Sequence, residues 1–409
     1  MKFVLPILLL IVTSLAASAQ PGLLTPATEA TARQLMEEAL ASDLAWDIVE
    51  SLTTEVGPRL AGSEAEARAR DWGSELGEQL NFDRVMIEEF ELPYWERGDM
   101  SITMTAPYRQ ALYGTALGGS GASPQSEELE AEIAYFRTVD ELMAVEDSAL
   151  IGRIAFVDGD AIVPSQTGAG YGSANQRRRI GWQHAQRAGA EALVVRSVGS
   201  DSHRFPHTGM MTPDGTEWAD MPVIAVSNPD ADHLRRLYAA GNSIRLDLHS
   251  SAGWRGERRS GNVLLDLIGR EKPEEIVLIG GHLDSWDLGT GAVDDGAGIA
   301  ITTAAAALIA QLPQRPRRTI RVVMFGAEEV GLRGAQAYAE THASELAAHQ
   351  VATESDFGAG NIWQLVSNVS EAGTPAIDAI GKIIAPLGII RGGSDVPGGG
   401  PDISPTAAR

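Results

Sequence analysis

Apolar residues recur at helical spacing through residues 28–56, a run rich in Ala, Glu and Leu that ends at Gly57-Pro58-Arg59. Glu64 to Leu80 predicts a second helix. Val85 to Leu92 alternates, with Val85 and Ile87 set against Met86 and Glu88, and predicts a strand. Gly114, Gly118, Gly119, Gly121 and Pro124 then interrupt the pattern and mark a domain boundary. Beyond them, Arg153–Val157, Ala192–Val195 and Met221–Val226 predict strands. Arg177–Ala190 and Asp230–Ala240 predict helices between them. This rhythm reads as a separate α/β insert over residues 113–250.

From Gly261 the pattern becomes βαβ. Val263–Ile268 and Ile276–Ile279 predict strands, the second nearly all apolar, as in a central strand buried on both faces. Gly296–Leu312 is an Ala- and Ile-rich helix closed by Pro313. Thr319–Phe325 is the next buried strand, and Gly331–Leu346 the next helix. Strands alternating with helices predict an α/β fold: a mostly parallel sheet with helices on both faces.

The first residues add a destination. Lys2, the apolar stretch Val4 to Val12 and the small-x-small pattern Ala17-Ser18-Ala19 read as an export signal over residues 1–19, cleaved after Ala19. The stretch is shorter than the roughly 20 apolar residues of a membrane span. No other segment reads as spanning a membrane. The expected location is secreted or periplasmic. The rest divides into residues 20–112, the insert, and a catalytic part over 251–409. The length of 409 residues suits two or three domains.

There is no cysteine, which excludes thiol nucleophiles, Cys-based zinc sites and a cysteine-linked lipid anchor. The formal net charge of −23 repels phosphate backbones and argues against a nucleic-acid partner. Some of that acid has a local use, since cations take carboxylate ligands.

In open α/β sheets, ligands sit at the carboxyl ends of strands. The notable polar residues of the C-terminal half fall there. His282 and Asp284 follow one strand, Glu328 and Glu329 another, and Glu354 and Asp356 a third; Asp294-Asp295 opens a helix from a Gly-rich loop. Residues two apart in extended chain share a side, so His282 is a metal-ligand candidate with Asp284 as its orienting carboxylate. One Asp suffices to cap a helix, so the Asp294-Asp295 pair leaves a carboxylate free. Of two neighbouring glutamates, one can ligate while the other serves as general base. Arg177-Arg178-Arg179 reads as a solvated helix face. His203 and His207 are candidates for a second metal site or for reaching into the cleft. Asn368-Val369-Ser370 has the form of a glycosylation sequon.

Four ordered motifs now form a pattern: Gly280-Gly281-His282-Leu283-Asp284-Ser285-Trp286-Asp287, Gly291-Ala292-Val293-Asp294-Asp295-Gly296, Ala327-Glu328-Glu329 and Glu354-Ser355-Asp356. They resemble the co-catalytic zinc exopeptidase family, in its plasma glutamate carboxypeptidase-like branch. Gly57-Pro58-Arg59-Leu60-Ala61-Gly62-Ser63 is similar to the family's N-terminal motif. Arg196-Ser197 and Pro206-His207-Thr208-Gly209 are similar to its protease-associated insert. The resemblance implies a three-layer zinc-exopeptidase sandwich and two zinc ions per site. His282 and Asp356 would hold one zinc, Glu329 the other, and Asp294 would bridge both. Glu328 would be the general base and Asp284 would orient His282. A cis peptide would join Asp294 to Asp295. Short peptides would be the substrates, with no membrane partner; homodimerisation stays open.

The family pattern has a further zinc-binding histidine in a later loop, and here no histidine follows His349. The expectation is a chain that stops short of this last ligand, keeping His282, Asp294 and Asp356 at one metal position but only Asp294 and Glu329 at the other. Two alternatives stay open: a single-zinc glutaminyl cyclase-like enzyme on the same fold, and a catalytically impaired, peptide-binding homologue.

Overall fold

The computed structural model describes residues 24–124, 129–165, 168–212, 217–356, 358, 360–367, 369–392 and 399–408. The export signal and Asn368 of the sequon lie outside the described residues. The chain forms two compact units. The larger comprises Ser42–Ala359 and Gly399–Arg409, the smaller Met1–Ala41 and Gly360–Gly398.

The larger unit holds two sheets. The first has five strands in the order Arg84–Glu96, Gly253–Leu267, Arg318–Phe325, Lys272–His282, His349–Glu354. Its helices lie on both faces, selected by strand alternation. Val263, Leu265, Val322 and Met324 pack against Leu52, Ala69, Ile299 and Ala306 of the helical layer formed by Leu44–Val56, Glu64–Gln79 and Ala297–Ala310. Leu264, Leu278, Val323 and Phe325 face the other way, onto Ala335, Tyr338 and Ile403. The result is the expected three-layer α/β arrangement. The sheet is less parallel than its sequence rhythm predicts: two junctions are antiparallel and two parallel. The chain leaves along Arg84–Glu96 and returns along Gly253–Leu267, so these strands meet as one long antiparallel ribbon.

The second sheet has eight strands in the order Gln110–Ala111, Met100–Ala106, Arg245–Ser250, Leu129–Phe136, Arg153–Val157, Ala192–Arg196, Val223–Val226, Gly114–Ala116. Three central junctions are parallel. Ala231 and Leu234 cover one face, and Leu142, Trp182 and Ala185 the other. This sheet begins at Met100, before the glycine-rich stretch, because Met100–Ala106 pairs with Arg245–Ser250. The helix expected over Arg177–Ala190 is two, Tyr171–Arg179 and Gly181–Arg187.

In the smaller unit, Pro26–Ala41 packs with Thr374–Ile384, and Gln364–Leu365 pairs parallel with Ile390–Arg391. The helix read over 28–56 is thus interrupted at Ser42-Asp43. Among the described residues one helical stretch, Ala292–Ala310, is long and apolar enough to cross a membrane, contrary to the sequence reading. Most of it is buried against the first sheet, which explains its composition.

Candidate metal centre

His282 is the last residue of the strand Lys272–His282 and is 1% exposed. Its Nδ1 lies 2.9 Å from the main-chain oxygen of Asp284 and 3.6 Å from the Asp284 carboxylate. A ring nitrogen against a carbonyl must donate, so Nδ1 carries a proton and Nε2 is the nitrogen left to take a metal ion or a second proton. Nε2 lies 2.9 Å from Asp294 Oδ1 and 3.4 Å from Asp356 Oδ1. One ligand atom from each of these three residues falls within 4.8 Å of the others, the one such grouping among the described residues. A lone pair facing two carboxylates is unfavourable unless a cation or a proton lies between them. Burial opposes a charge on His282, but Asp284, Asp294 and Asp356 outweigh it and raise its pKa well above the usual value.

The Asp294-Asp295 pair divides its work. Asp295 is buried; its Oδ2 accepts from the His282 amide at 2.9 Å and its Oδ1 from the Gly298 amide at 3.1 Å. It caps the helix Ala297–Ala310 and ties that helix to the end of the His282 strand. Gly298 has no room for a side chain, because a Cβ would meet Ser355 O and the Asp295 carboxylate. Burial pushes Asp295 up to about 8, with His282 opposing. The Asp294 side chain is 67% exposed and free to ligate. The peptide joining the two is cis.

Glu328 and Glu329 follow the strand Arg318–Phe325. The Asp284 carboxylate accepts from their amides at 2.9 and 3.3 Å, locking this turn to the His282 loop. Ala327, just before them, adopts φ 58°, a conformation costly for a non-glycine residue. Burial pushes Glu328 up to about 8, with His282 opposing and Asp284 and Asp356 adding. Glu329 is held well above the carboxylate range by burial and then by Asp294; its Oε2 accepts from Trp286 Nε1 at 2.5 Å.

Two supporting residues carry no role in the sequence reading. Arg59 is fully buried and donates to the carbonyls of Leu283 (2.5 Å), Thr290 (2.6 Å) and Gly291 (3.0 Å), clamping the loop from His282 to Asp294. Burial lowers it to about 10. Asp402 is buried behind Glu354, whose Oε2 accepts from its amide at 2.8 Å. A charged residue inside a glycine-rich motif was the one available signal for Arg59.

The centre opens into a cleft of ≈ 580 Å³. Asp294, Glu328, Glu329, Arg178, Arg179 and His207 are among the residues that line it. His203 and His207 both border the cleft, and neither joins a metal-ligand grouping among the described residues. The arginine run is not a solvated face. Arg177 is buried and donates to the carbonyls of Arg196 and Ser197, while Arg178 is buried against Thr208 and Tyr171.

The profile of peptidase family M28 matches residues 262–388, the span that supplies His282, Asp294, Glu328, Glu329 and Asp356. Carboxypeptidase Q of Mus musculus is 33% identical over 343 residues, covering 83% of this chain and 70% of that protein. The chain belongs to peptidase family M28. It is accordingly a hydrolase of the metallopeptidase class. Among solved M28 structures, a peptidase M28 precursor from Shewanella amazonensis SB2B is 45% identical, with a TM-score of 0.88, and covers 93% of this chain and 85% of its own. BSAP, a zinc aminopeptidase from Bacillus subtilis, shares the fold at a TM-score of 0.61 and 19% identity, over 85% of this chain and 83% of its own.

Proposed function

We propose that this chain is a zinc-dependent exopeptidase that hydrolyses dipeptides or the terminal bonds of short peptides, outside the cytoplasm. The observation that carries the reading is the convergence of His282 Nε2, Asp294 and Asp356 within 4.8 Å. One imidazole nitrogen and two carboxylates form a donor set that suits zinc. Asp294 and Glu329 would hold a second ion, with Asp294 shared. Zinc supplies Lewis acidity, which polarises a scissile carbonyl and makes a water easier to deprotonate.

The chain supplies the rest. Glu328 accepts the proton of the attacking water and passes it to the leaving amine. Asp284 fixes the Glu328 main chain and stands beside His282. Trp286 holds one oxygen of Glu329. Short peptides fit a cleft of ≈ 580 Å³. The export pattern over residues 1–19 supports a secreted or periplasmic location.

The test is zinc content per chain by mass spectrometry, in wild type and His282→Ala, alongside dipeptide hydrolysis before and after chelation. Zinc retained by wild type and lost by the variant is expected, with hydrolysis that stops on chelation and returns with zinc. Hydrolysis indifferent to chelation would sink the reading.

A further inference from the structure

Trp286 joins the metal centre to the second sheet. Its Nε1 donates to Glu329 Oε2 at 2.5 Å, and the Glu329 amide is held by the Asp284 carboxylate at 3.3 Å. A long, flexible side chain is thereby fixed at both ends, with one carboxylate oxygen left for a metal ion.

The indole is itself held from behind. Arg97 is buried, pairs with Asp287 at 2.6 Å and donates to Thr115 Oγ1 at 2.9 Å and to Ala116 O. Its guanidinium carbon lies 5.2 Å from the Trp95 ring centroid and 5.5 Å from that of Trp286. The two indoles meet edge to face with centroids 6.3 Å apart, and Trp95 Nε1 donates to Ser120 O at 2.9 Å. Thr115 and Ala116 lie in an edge strand of the second sheet, and Ser120 in the loop that follows it.

Gly118 of that loop faces the indole. Its backbone is not left-handed, so no turn demands a glycine there. Space demands it: a Cβ would collide with Trp286 Cη2 and press on Met210 Sδ. The Gly118 backbone cannot retreat, since its amide donates to Gly209 O at 3.0 Å and its carbonyl accepts from the Met211 amide at 3.0 Å. The indole is the part that would give way.

We propose that Trp286 is a positioning residue for Glu329 at the second metal position, and that Gly118 sets where its indole sits. The fit of the insert against the catalytic sheet is thereby expressed as affinity for the second zinc ion. This rests on the two-metal part of the reading above. A carboxylate that must be ordered at the moment of binding costs affinity, and one already held does not.

The test titrates chelated full-length protein with zinc alone, by calorimetry, in wild type, Trp286→Phe, Gly118→Ala and the double variant. Trp286→Phe should weaken the second zinc roughly 10–100-fold and leave the first unchanged. Gly118→Ala should also weaken it, but by less than about twofold in the Trp286→Phe background, where the shorter ring clears the space a Cβ needs. A second readout is the Trp286 indole N–H resonance in isotope-labelled protein, assigned by its loss in Trp286→Phe. It should move as the second zinc fills, because the ion draws electron density from the carboxylate that accepts the bond. Losses that simply add, an equal loss at both zincs, or a resonance that zinc leaves in place overturn the inference. Wild type that takes one zinc with the resonance unmoved also overturns it, and leaves the His282 site standing. Should Gly118→Ala not fold by itself, recovery in the Trp286→Phe background supports the contact and no recovery overturns it. If zinc-loaded wild type cleaves no dipeptide, the exopeptidase reading falls, and the titrations still decide the positioning.

Discussion

Buried acids stand at the carboxyl ends of parallel strands in both sheets of the larger unit, and the two sets are treated in opposite ways. In the second sheet, Asp158 follows Arg153–Val157 and is fully buried. It accepts from Arg196 Nε at 2.8 Å, Arg235 Nε at 2.5 Å and the Tyr135 hydroxyl at 2.6 Å. Arg196 also pairs with Asp232 at 2.7 Å. In the first sheet, six acids (Asp284, Asp294, Asp295, Glu328, Glu329 and Asp356) gather around His282, and the nearby Arg59 gives its hydrogen bonds to carbonyls instead of carboxylates. Asp295 and Glu328 are pushed up to about 8 as a result, burial being the larger cause. The same topological position hosts a neutralised cluster in one sheet and an unneutralised one in the other. The first is a structural lock, and the second is an acceptor for cations and protons.

The largest effect expected from this contrast is on turnover. Glu328→Gln keeps size and removes the proton acceptor. It should lower turnover by about 10²–10⁴-fold, with zinc content unchanged by mass spectrometry. Unchanged turnover would remove Glu328 from the mechanism. On the paired side the effect should be on stability. Arg196→Met removes one of the two guanidinium partners of Asp158, leaving Arg235 and the Tyr135 hydroxyl, and should cost about 1–3 kcal/mol in urea unfolding. A loss under 1 kcal/mol would show that the second cluster is no lock.

The next effect is smaller and of opposite sign. Glu329→Gln removes a half-buried acid that makes no ion pair among the described residues, while the Trp286 donor keeps an acceptor. In chelated protein this should leave stability unchanged or raise it by about 1 kcal/mol. The thermal midpoint of the metal-free variant checks this. A fall comparable to that of Arg196→Met would erase the distinction between the clusters.

How much of this was legible in sequence depended on distance along the chain. His282, Asp284, Asp294, Glu328 and Asp356 fall in short motifs at strand ends, where local rules apply. The split between a capping and a free Asp followed from counting what one cap needs, and Asp295 and Asp294 fill the two places. Arg59 could not be assigned, because its partners lie more than 200 residues away, as with Leu283 at a separation of 224. Strand direction was similarly hidden. Gly253–Leu267 reads as one more strand of a βαβ series, but its partner Arg84–Glu96 lies on the far side of the second sheet's residues. The arginine run was misread because three consecutive helical residues point three ways. Burial of Arg177 and Arg178 depends on where loops 196–197 and 208–209 return.

The smallest effect concerns His342, a charged pair of the neutralised kind away from either strand-end cluster. Its Nε2 lies 3.0 Å from Glu88 and its Nδ1 3.1 Å from Glu345. Tyr338 packs on the ring, and Arg321 and His349 are the remaining charged or titratable neighbours. The Glu88 hydrogen bond leads in raising its pKa above 6.5, against burial and Arg321. A group whose folded pKa is raised contributes stability that is complete below the unfolded value and disappears as pH climbs through the folded one. Urea midpoints should therefore fall as pH rises from about 6.5 through that folded value. Glu88 and Glu345 are 24% and 55% exposed, so water screens the pair. The change should be of order 0.5 kcal/mol. His342→Gln should flatten the profile and leave zinc content and turnover as they were. A metal-dependent change in that profile would mean that a neutralised pair can serve the centre after all, and the contrast drawn from Asp158 would have to be given up.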